Sequence, residues 1–192
     1  MFIYQPQRNS TCLHIYNILE RTAKTVQVSS NFPTNAEYAI THVGDEVYIA
    51  GGYGGGPKSG YWDFMRRYDE DGKVTELKKI PTAMSWFPMP FNRFRQVLIT
   101  VGGYDNNGAL TNVREYNIAH DSWSDLPALP NKLYGSGACI LEPDSLYNFG
   151  GNSASHTILF LNLSVRDSWK SFTLSGQSFN GWCYREAVSI GD

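Results

Sequence analysis

The chain has 192 residues, of which 42% are hydrophobic, 14% are aromatic and only 18% are charged. Its 16 basic and 18 acidic residues leave a net charge of −2, which excludes the strongly charged proteins that bind nucleic acids or other polyelectrolytes. No apolar run reaches the roughly 18 residues of a membrane-spanning helix, so no membrane partner is expected. The length predicts one domain with a sizeable core.

The cysteines and histidines form no pattern typical of a disulfide framework or a metal site. Cys12, Cys139 and Cys183 are an odd number without a close pair, and four histidines are scattered along the chain without metal-ligand spacing. No secretory signal is visible in Met1 to Arg8. The sequence therefore predicts a cytoplasmic protein with reduced thiols, without a cofactor or a metal ion. His42 lies in an apolar run and is expected to be buried.

Short strands are predicted along the whole chain. The apolar runs are rich in β-branched and aromatic residues, are bounded by Gly, Pro, Asn and Asp, and lack the i, i+3, i+4 stripe of a helix. In chain order, the predicted elements are a strand pair at about 11–28, four-stranded units at about 36–78, 84–126 and 134–173, and a single strand at about 182–190. In the second unit the four strands are placed near 87–94, 96–101, 112–117 and 122–126. Pro88 and Pro90 are expected to weaken the first of them.

The glycine-rich stretch from Gly52 to Ser59 nearly spells a phosphate-binding loop. Pro57 stands where that motif needs a glycine, and the residues that follow, 61–68, are predicted to form a strand instead of a helix. The stretch is therefore predicted to be a loop between two strands, and no nucleotide is expected there.

A repeat of about 50 residues organises the chain. Three apolar runs end in a glycine pair, and these pairs lie 51 and then 48 residues apart: Gly51-Gly52, Gly102-Gly103 and Gly150-Gly151. An aromatic column has members 48 residues apart: Tyr38, Trp86, Tyr134 and Trp182. Glycine pairs permit positive φ and a close approach of neighbouring groups, and large rings fill the space beside and between sheets. The residues to which we assign a structural role are Gly51, Gly52, Tyr68, Gly102, Gly103, Tyr116, Trp123, Gly150, Gly151 and Trp169.

Paired glycines followed by a tyrosine and, about seven residues later, a tryptophan resemble kelch repeats, which build the blades of β-propellers. The match is most specific in Gly102-Gly103, Tyr116 and Trp123, whereas Val74 replaces the tryptophan of one unit and Leu161 replaces the tyrosine of another. The resemblance implies an all-β, kelch-type propeller segment of four-stranded antiparallel blades, about three of them complete, with partial blades at both ends. Because propellers of this family usually have five to seven blades, we expect an incomplete propeller.

The same resemblance implies a non-catalytic scaffold or adaptor that binds partner proteins or peptides. Ubiquitin-ligase components and cytoskeletal proteins are among the partners of such propellers. The alternative is a fragment of a kelch-propeller enzyme that acts on sugars, either copper radical oxidase-like or sugar epimerase-like. No nucleophile, base and orienting group are recognisable together in the sequence, so we expect no enzymatic activity.

Kelch propellers crowd one face with the loops between second and third strands and with the linkers between blades, and loops on a rigid scaffold often carry recognition residues. In this chain the resemblance places those segments at 53–61, 104–110, 152–156, 31–35, 82–86, 131–134 and 177–181. The candidate binding residues are Tyr53, Lys58, Tyr104, Asp105, Asn106, Asn107, Asn152 and His156. The competing interpretation is that these are solvated turn residues, because turns also favour Asn, Asp and Gly.

Overall fold

The computed structural model describes residues 2–4, 12–17, 20–27, 37–54, 59–141, 143–152 and 156–176. Within these ranges the chain forms strands, turns and loops, and no helix that could cross a membrane is present. The candidate Lys58, the linkers at 31–35 and 177–181 and the strand predicted at 182–190 lie outside the described residues.

Three antiparallel sheets of four strands follow one another, each with its strands in sequential order. Blade A comprises Ala39–Val43, Glu46–Ala50, Met65–Tyr68 and Val74–Glu76. Blade B comprises Phe91–Asn92, Val97–Val101, Val113–Asn117 and Ser122–Asp125. Blade C comprises Gly137–Leu141, Ser145–Phe149, Thr157–Asn162 and Lys170–Thr173. The predicted fold class, all-β with four-stranded antiparallel blades, is confirmed, and the sheets within the described ranges do not close a ring.

A three-stranded sheet formed by Phe2–Tyr4, Cys12–Asn17 and Thr22–Gln27 precedes blade A. The sequence predicted only the last two of these strands. Phe2–Tyr4 pairs antiparallel with Cys12–Asn17, so it takes the position that the second strand holds in each complete blade. It was missed because it is only three residues long and no glycine pair follows it.

The first strand of blade B is shorter than predicted, because only Phe91–Asn92 forms a regular ladder. Proline has no N–H to donate, so Pro88 and Pro90 cannot complete an antiparallel ladder. Their carbonyl oxygens still accept hydrogen bonds from the N–H groups of Val101 and Ile99, at 3.4 and 3.0 Å. The proline segment therefore remains beside the second strand although it is not a full strand.

The hydrophobic core lies between neighbouring blades. The second strand of blade B, Val97–Val101, is buried at every position. Leu98 packs with Tyr48 of blade A, while Ile99 packs with Leu146 of blade C. Because both faces of this strand are covered, its sequence is a continuous apolar run and not an alternating one. By contrast, His42 is exposed on the first strand of blade A, so the expectation that it is buried was wrong.

The glycine pair that ends the second strand of blade B joins that blade to the next linker. Gly102 and Gly103 have φ of 62° and 117°, values that residues with a Cβ rarely adopt. The Gly103 N–H donates a hydrogen bond to the Leu133 carbonyl oxygen at 2.8 Å. Gly51-Gly52 has φ of 64° and 108°, and Gly150-Gly151 has φ of 63° and 100°, so the backbone conformation repeats from blade to blade.

The tryptophan of the repeat connects blades B and C to the segments before them. Tyr116 is fully buried, and its ring centroid lies 5.1 Å from that of Trp123. The Trp123 indole N–H donates to the Lys78 carbonyl oxygen at 2.9 Å. In the next blade the Trp169 indole N–H donates to the Pro127 carbonyl oxygen at 2.8 Å. The same side chain thus makes the same kind of backbone contact one repeat later.

An ion pair also connects blades B and C. The Arg166 guanidinium donates to a Glu115 carboxylate oxygen at 2.6 Å, and the two side chains are 34% and 12% exposed. Replacing Arg166 by glutamine is expected to lower the free energy of unfolding by about 1–2 kcal/mol, because a mostly buried carboxylate loses its cation. Urea unfolding of the variant measures this loss.

The matched control is Lys24→Gln, which breaks the exposed ion pair between Lys24 and Asp71. Exposed pairs contribute little to stability, so this variant should unfold close to the parent midpoint. Equal losses of unfolding free energy in Arg166→Gln and Lys24→Gln would show that burial does not strengthen the ion pair between Arg166 and Glu115.

Candidate functional site

Aromatic rings from three segments of the chain meet on the face that carries the inter-strand loops. They line an open groove of about 360 Å³, called here the aromatic groove. Its lining residues are Glu37, Tyr53, Tyr61, Trp86, Tyr104, Asp105 and Asn106. Tyr134 extends the cluster, because its ring stacks on Trp86 at a centroid distance of 5.4 Å and an interplanar angle of 27°.

Two short hairpins position the tyrosines of the groove. Tyr53–Gly54 pairs with Gly60–Tyr61, which places Tyr53 directly opposite Tyr61 with ring centroids 5.0 Å apart. Tyr104–Asp105 pairs with Gly108–Ala109 in the same position of the next blade. Cross-strand neighbours lie within reach of aromatic side chains, so each hairpin fixes where its rings point.

Asp105 stabilises the turn of the second hairpin. Its carboxylate accepts a hydrogen bond from the Asn107 N–H at 2.7 Å, and Gly108 has φ of 106°. Asp and Asn commonly bond to backbone two residues on, and glycine supplies positive φ, so the Asp-Asn-Asn-Gly sequence encodes this turn. Asn106 and Asn107 therefore lie at the exposed tip, with Asn106 also lining the groove.

Backbone hydrogen bonds hold the linker that carries Trp86. The preceding residue, Ser85, exchanges two hydrogen bonds with Tyr104, both at 2.9 Å. The Trp86 N–H donates to the Glu37 carbonyl oxygen at 3.2 Å, and the Gly135 N–H donates to the Trp86 carbonyl oxygen at 2.8 Å. Trp86 is thereby bonded both to the segment that precedes blade A and to the segment that follows blade B.

Two lining residues adopt an unusual backbone conformation. Trp86 has φ of 56° and Glu37 has φ of 75°. A non-glycine residue in this region costs about 1–3 kcal/mol and persists only where the surrounding structure imposes it, often at functional sites. The backbone bond between Trp86 and Glu37 is part of what imposes it here.

The described lining of the groove includes two carboxylates. Glu37 and Asp105 contribute carboxylates, and no Lys or Arg belongs to the lining that the described ranges provide. Burial raises the pKa of Tyr61, and the neighbouring Tyr104, Tyr53, Glu37 and Asp105 raise it further. The Tyr61 phenol therefore stays protonated at neutral pH and remains a hydrogen-bond donor.

The structure brings together half of the eight candidate binding residues. Tyr53, Tyr104, Asp105 and Asn106 line the groove, and Asn107 lies at the adjacent hairpin tip. The two candidates from blade C, Asn152 and His156, do not line it. Lys58 lies outside the described residues.

Asn152 has a positioning contact next to the groove. Its side-chain oxygen accepts a hydrogen bond from the Tyr134 N–H at 3.1 Å, and its own N–H donates to the Tyr134 carbonyl oxygen at 3.1 Å. Asn152 thus holds the residue that stacks on Trp86. His156 lies just before the third strand of blade C, where its carbonyl oxygen accepts from the Leu174 N–H at 2.8 Å.

Three lining residues were absent from the candidates chosen from the sequence: Glu37, Tyr61 and Trp86. The aromatic column with 48-residue spacing contained the signal for Trp86, together with Tyr134 in the next linker. Tyr61 ends the loop that begins at Tyr53, so hairpin pairing would have indicated it. Glu37 carried no signal in the sequence pattern.

The described part of the chain holds no group of three or more His, Cys, Asp or Glu side chains placed to bind a metal ion.

Comparison with known proteins supports the repeat assignment. No protein-family model matches the chain. It is 29% identical over 132 residues to Kelch-like protein 36 of Bos taurus and 28% identical over 122 residues to Kelch-like protein 36 of Mus musculus. Each alignment covers 61% of this chain and 19% of the relative, so the chain spans about a fifth of the length of these curated relatives. The chain is therefore similar to kelch-like proteins, and its blades A, B and C each carry a glycine pair that resembles the kelch repeat.

Proposed function

We propose that this kelch-repeat chain is a protein-interaction module that binds a peptide, or an exposed loop of a partner protein, in the aromatic groove. The observation that carries the proposal is the convergence of Tyr53, Tyr61, Trp86 and Tyr104 on one open groove. Tyr, Trp and Arg are the residues most enriched at interface positions that dominate binding energy. The similarity to kelch-like proteins supports the same general role.

The rigidity of the groove favours binding. Its rings are carried by two hairpins and by a linker that is hydrogen-bonded to both neighbouring segments. A groove whose side chains are already ordered loses less conformational entropy when a partner binds. Tyr and Trp add to this advantage, because they offer a large contact area with only two rotatable bonds.

Two of the remaining candidates lie next to this centre. Asn107 forms its rim at the hairpin tip, and Asn152 positions Tyr134 behind Trp86. Lys58 and His156 belong to the same loop face in the sequence-based assignment and remain predictions. A partner among ubiquitin-ligase components or cytoskeletal proteins is compatible with such a groove. The sugar-converting alternative has no observation in its favour.

The proposal predicts a large loss of binding when the two hairpin tyrosines are removed. A library of synthetic peptides displayed on an array is screened with the full chain, and the affinity of the peptides retained is measured by titration. Because interface hot-spot rings each contribute about 2 kcal/mol or more, Tyr53→Ala with Tyr104→Ala is expected to weaken binding by roughly several hundred-fold.

The control removes two exposed aromatic side chains outside the groove. Tyr16 and Phe172 are 42% and 50% exposed, and neither lines the groove. Tyr16→Ala with Phe172→Ala should leave peptide affinity unchanged, while thermal unfolding checks that both double variants are folded. If the two double variants bind alike, or if no peptide in the library binds the parent chain, the groove is not the interaction site.

A further inference from the structure

The face of blade C that is turned away from blade B, called here the outer face, carries large apolar side chains. Ile140 and Leu146, on the first two strands, pack towards blade B. Because successive side chains of a strand point to opposite faces, the paired residues Cys139 and Tyr147 lie on the outer face. Cross-strand pairing extends this face to the third and fourth strands. Its apolar members include Cys139, Tyr147, Phe149, Ile158, Phe160 and Phe172.

The corresponding positions of blades A and B are covered completely. Counted back from the glycine pairs, Tyr147 occupies the position of Tyr48 in blade A and of Ile99 in blade B. Tyr48 and Ile99 are only 1% and 0% exposed. By contrast, Tyr147 and Phe149 are partly exposed and belong to none of the described hydrophobic clusters between blades. The repeat therefore predicts that a further segment covers the outer face of blade C.

In blades A and B, the segment that follows the blade supplies this cover. Met84, which follows blade A, packs in one cluster with Tyr48, and Leu133, which follows blade B, packs in one cluster with Ile99. The carbonyl oxygens of Met84 and Leu133 each accept a hydrogen bond at 2.8 Å from the second glycine of the preceding pair. Each blade is thus covered by the chain that leaves it.

The chain that leaves blade C has the length for the same contact. Met84 and Leu133 each lie eight residues after the last strand of the preceding blade, and the same count after blade C reaches Gly181, directly before Trp182. This segment, residues 177–192, lies outside the described ranges. Its sequence alternates in the manner of a strand with one buried face. The alternating set is Trp182, Tyr184, Glu186, Val188 and Ile190, of which only Glu186 is charged.

We propose that residues 177–190 dock on the outer face of blade C and cover Tyr147 and Phe149. The inference is independent of the aromatic groove. It assigns the outer face to a segment of the same chain, because that segment combines the spacing and the apolar pattern that this position requires. A second copy of the chain and a partner protein are the competing occupants.

Cys139 reports whether the outer face is covered. It is a free thiol with 7% exposure, and burial raises its pKa. Trp182→Ala in the full chain is expected to raise the rate at which a thiol reagent modifies Cys139 by at least about tenfold, because access and thiolate fraction increase together. Mass spectrometry measures this rate separately for each cysteine. The matched control, Phe94→Ala, removes a ring of blade B that is 53% exposed and should leave the rate unchanged.

A rescue experiment distinguishes docking of the segment from a general loss of folding. A synthetic peptide of residues 177–192, added to the Trp182→Ala chain, should slow the modification of Cys139, whereas the same peptide with Trp182→Ala should not. Both peptides carry Cys183→Ser so that they do not consume the reagent. A chain that had merely unfolded would offer the peptide no outer face. Val188→Ala is a milder change in the same set and should raise the rate to a smaller extent.

Three results would overturn the inference. If Cys139 reacts equally fast in the parent, in Trp182→Ala and in Phe94→Ala, the segment does not cover the outer face. If the protection of Cys139 in the parent is lost on about hundredfold dilution, a second copy of the chain is the occupant. If Cys139 of the parent reacts as fast as it does in urea, the face is uncovered in the isolated chain, and the place of the segment passes to a partner protein.

Discussion

Replacing Gly102 by alanine is expected to lower the free energy of unfolding by roughly 3–5 kcal/mol, from backbone strain together with overpacking. Gly102 has φ of 62°, and a Cβ built there lies 2.3 Å from the Leu133 carbonyl oxygen and 3.2 Å from a methyl carbon of Leu129. Backbone atoms cannot move aside as a flexible side chain can. The Leu133 oxygen also accepts the hydrogen bond of Gly103, so any shift weakens the connection between blade B and the next linker.

Gly44→Ala separates the two contributions to this loss. Gly44 has a nearly identical φ of 59°, but no described atom lies within 4 Å of a Cβ built there. Its replacement adds only the left-handed strain, about 1–2 kcal/mol. Urea unfolding of both variants measures the difference. A Gly102→Ala variant that is as stable as Gly44→Ala would show that the close approach of Leu133 does not add to the loss of stability.

The blades could be predicted from the sequence because each inner strand must pack against neighbouring blades on both of its faces. Val97–Val101 is buried on both faces, so the same apolar run recurs wherever a blade is inserted between two others. The glycine pair and the tyrosine-tryptophan pair recur for the same reason, since Trp123 and Trp169 make equivalent backbone contacts. A packing requirement that recurs in every blade produces a periodic pattern in the sequence.

Elements that are not subject to such a repeated packing requirement were missed or mispredicted. Phe2–Tyr4 carries no glycine pair, and its pairing with Cys12–Asn17 is specified by backbone hydrogen bonds that any short strand could make. The segment of Pro88 and Pro90 contributes only acceptors to the sheet, so the regular strand shrinks to Phe91–Asn92. Local propensity does not reveal either outcome, because both depend on the neighbouring strand.

About half of the candidate site could be predicted from the sequence, for a related reason. Tyr53 and Tyr104 lie in loops whose place on the face follows from the repeat, so both were chosen from the sequence. Trp86 reaches the groove because its backbone bonds to Glu37 and Gly135, residues of linkers on either side. Such convergence depends on how successive blades lie side by side. The 48-residue spacing of the aromatic column indicated that Trp86 is equivalent to the aromatic residues of other linkers. It did not indicate that their rings would contact one another.

Asp121 is a further connection between blades that no motif of the sequence had indicated. Its carboxylate oxygen accepts a hydrogen bond from the buried Tyr116 hydroxyl at 2.7 Å and another from the Lys78 N–H at 2.7 Å. The Trp123 indole donates to the carbonyl oxygen of the same Lys78. One residue of the segment that follows blade A is thus held through both of its peptide groups by the last hairpin of blade B.

Asp121→Gly is therefore expected to lower the free energy of unfolding by about 2–4 kcal/mol, because the buried Tyr116 hydroxyl and the Lys78 N–H both lose a charged acceptor. Glycine tolerates the φ of 44° at this position, so the loss reports the hydrogen bonds and not backbone strain. Asp121→Asn is the matched control: it keeps an acceptor oxygen and a residue that tolerates positive φ, and it should lose less than half as much. Urea unfolding gives both values, and Tyr116→Phe in the Asp121→Gly background measures the coupling between the two groups. Additive losses in that cycle would mean that the Tyr116 hydroxyl draws no stability from Asp121.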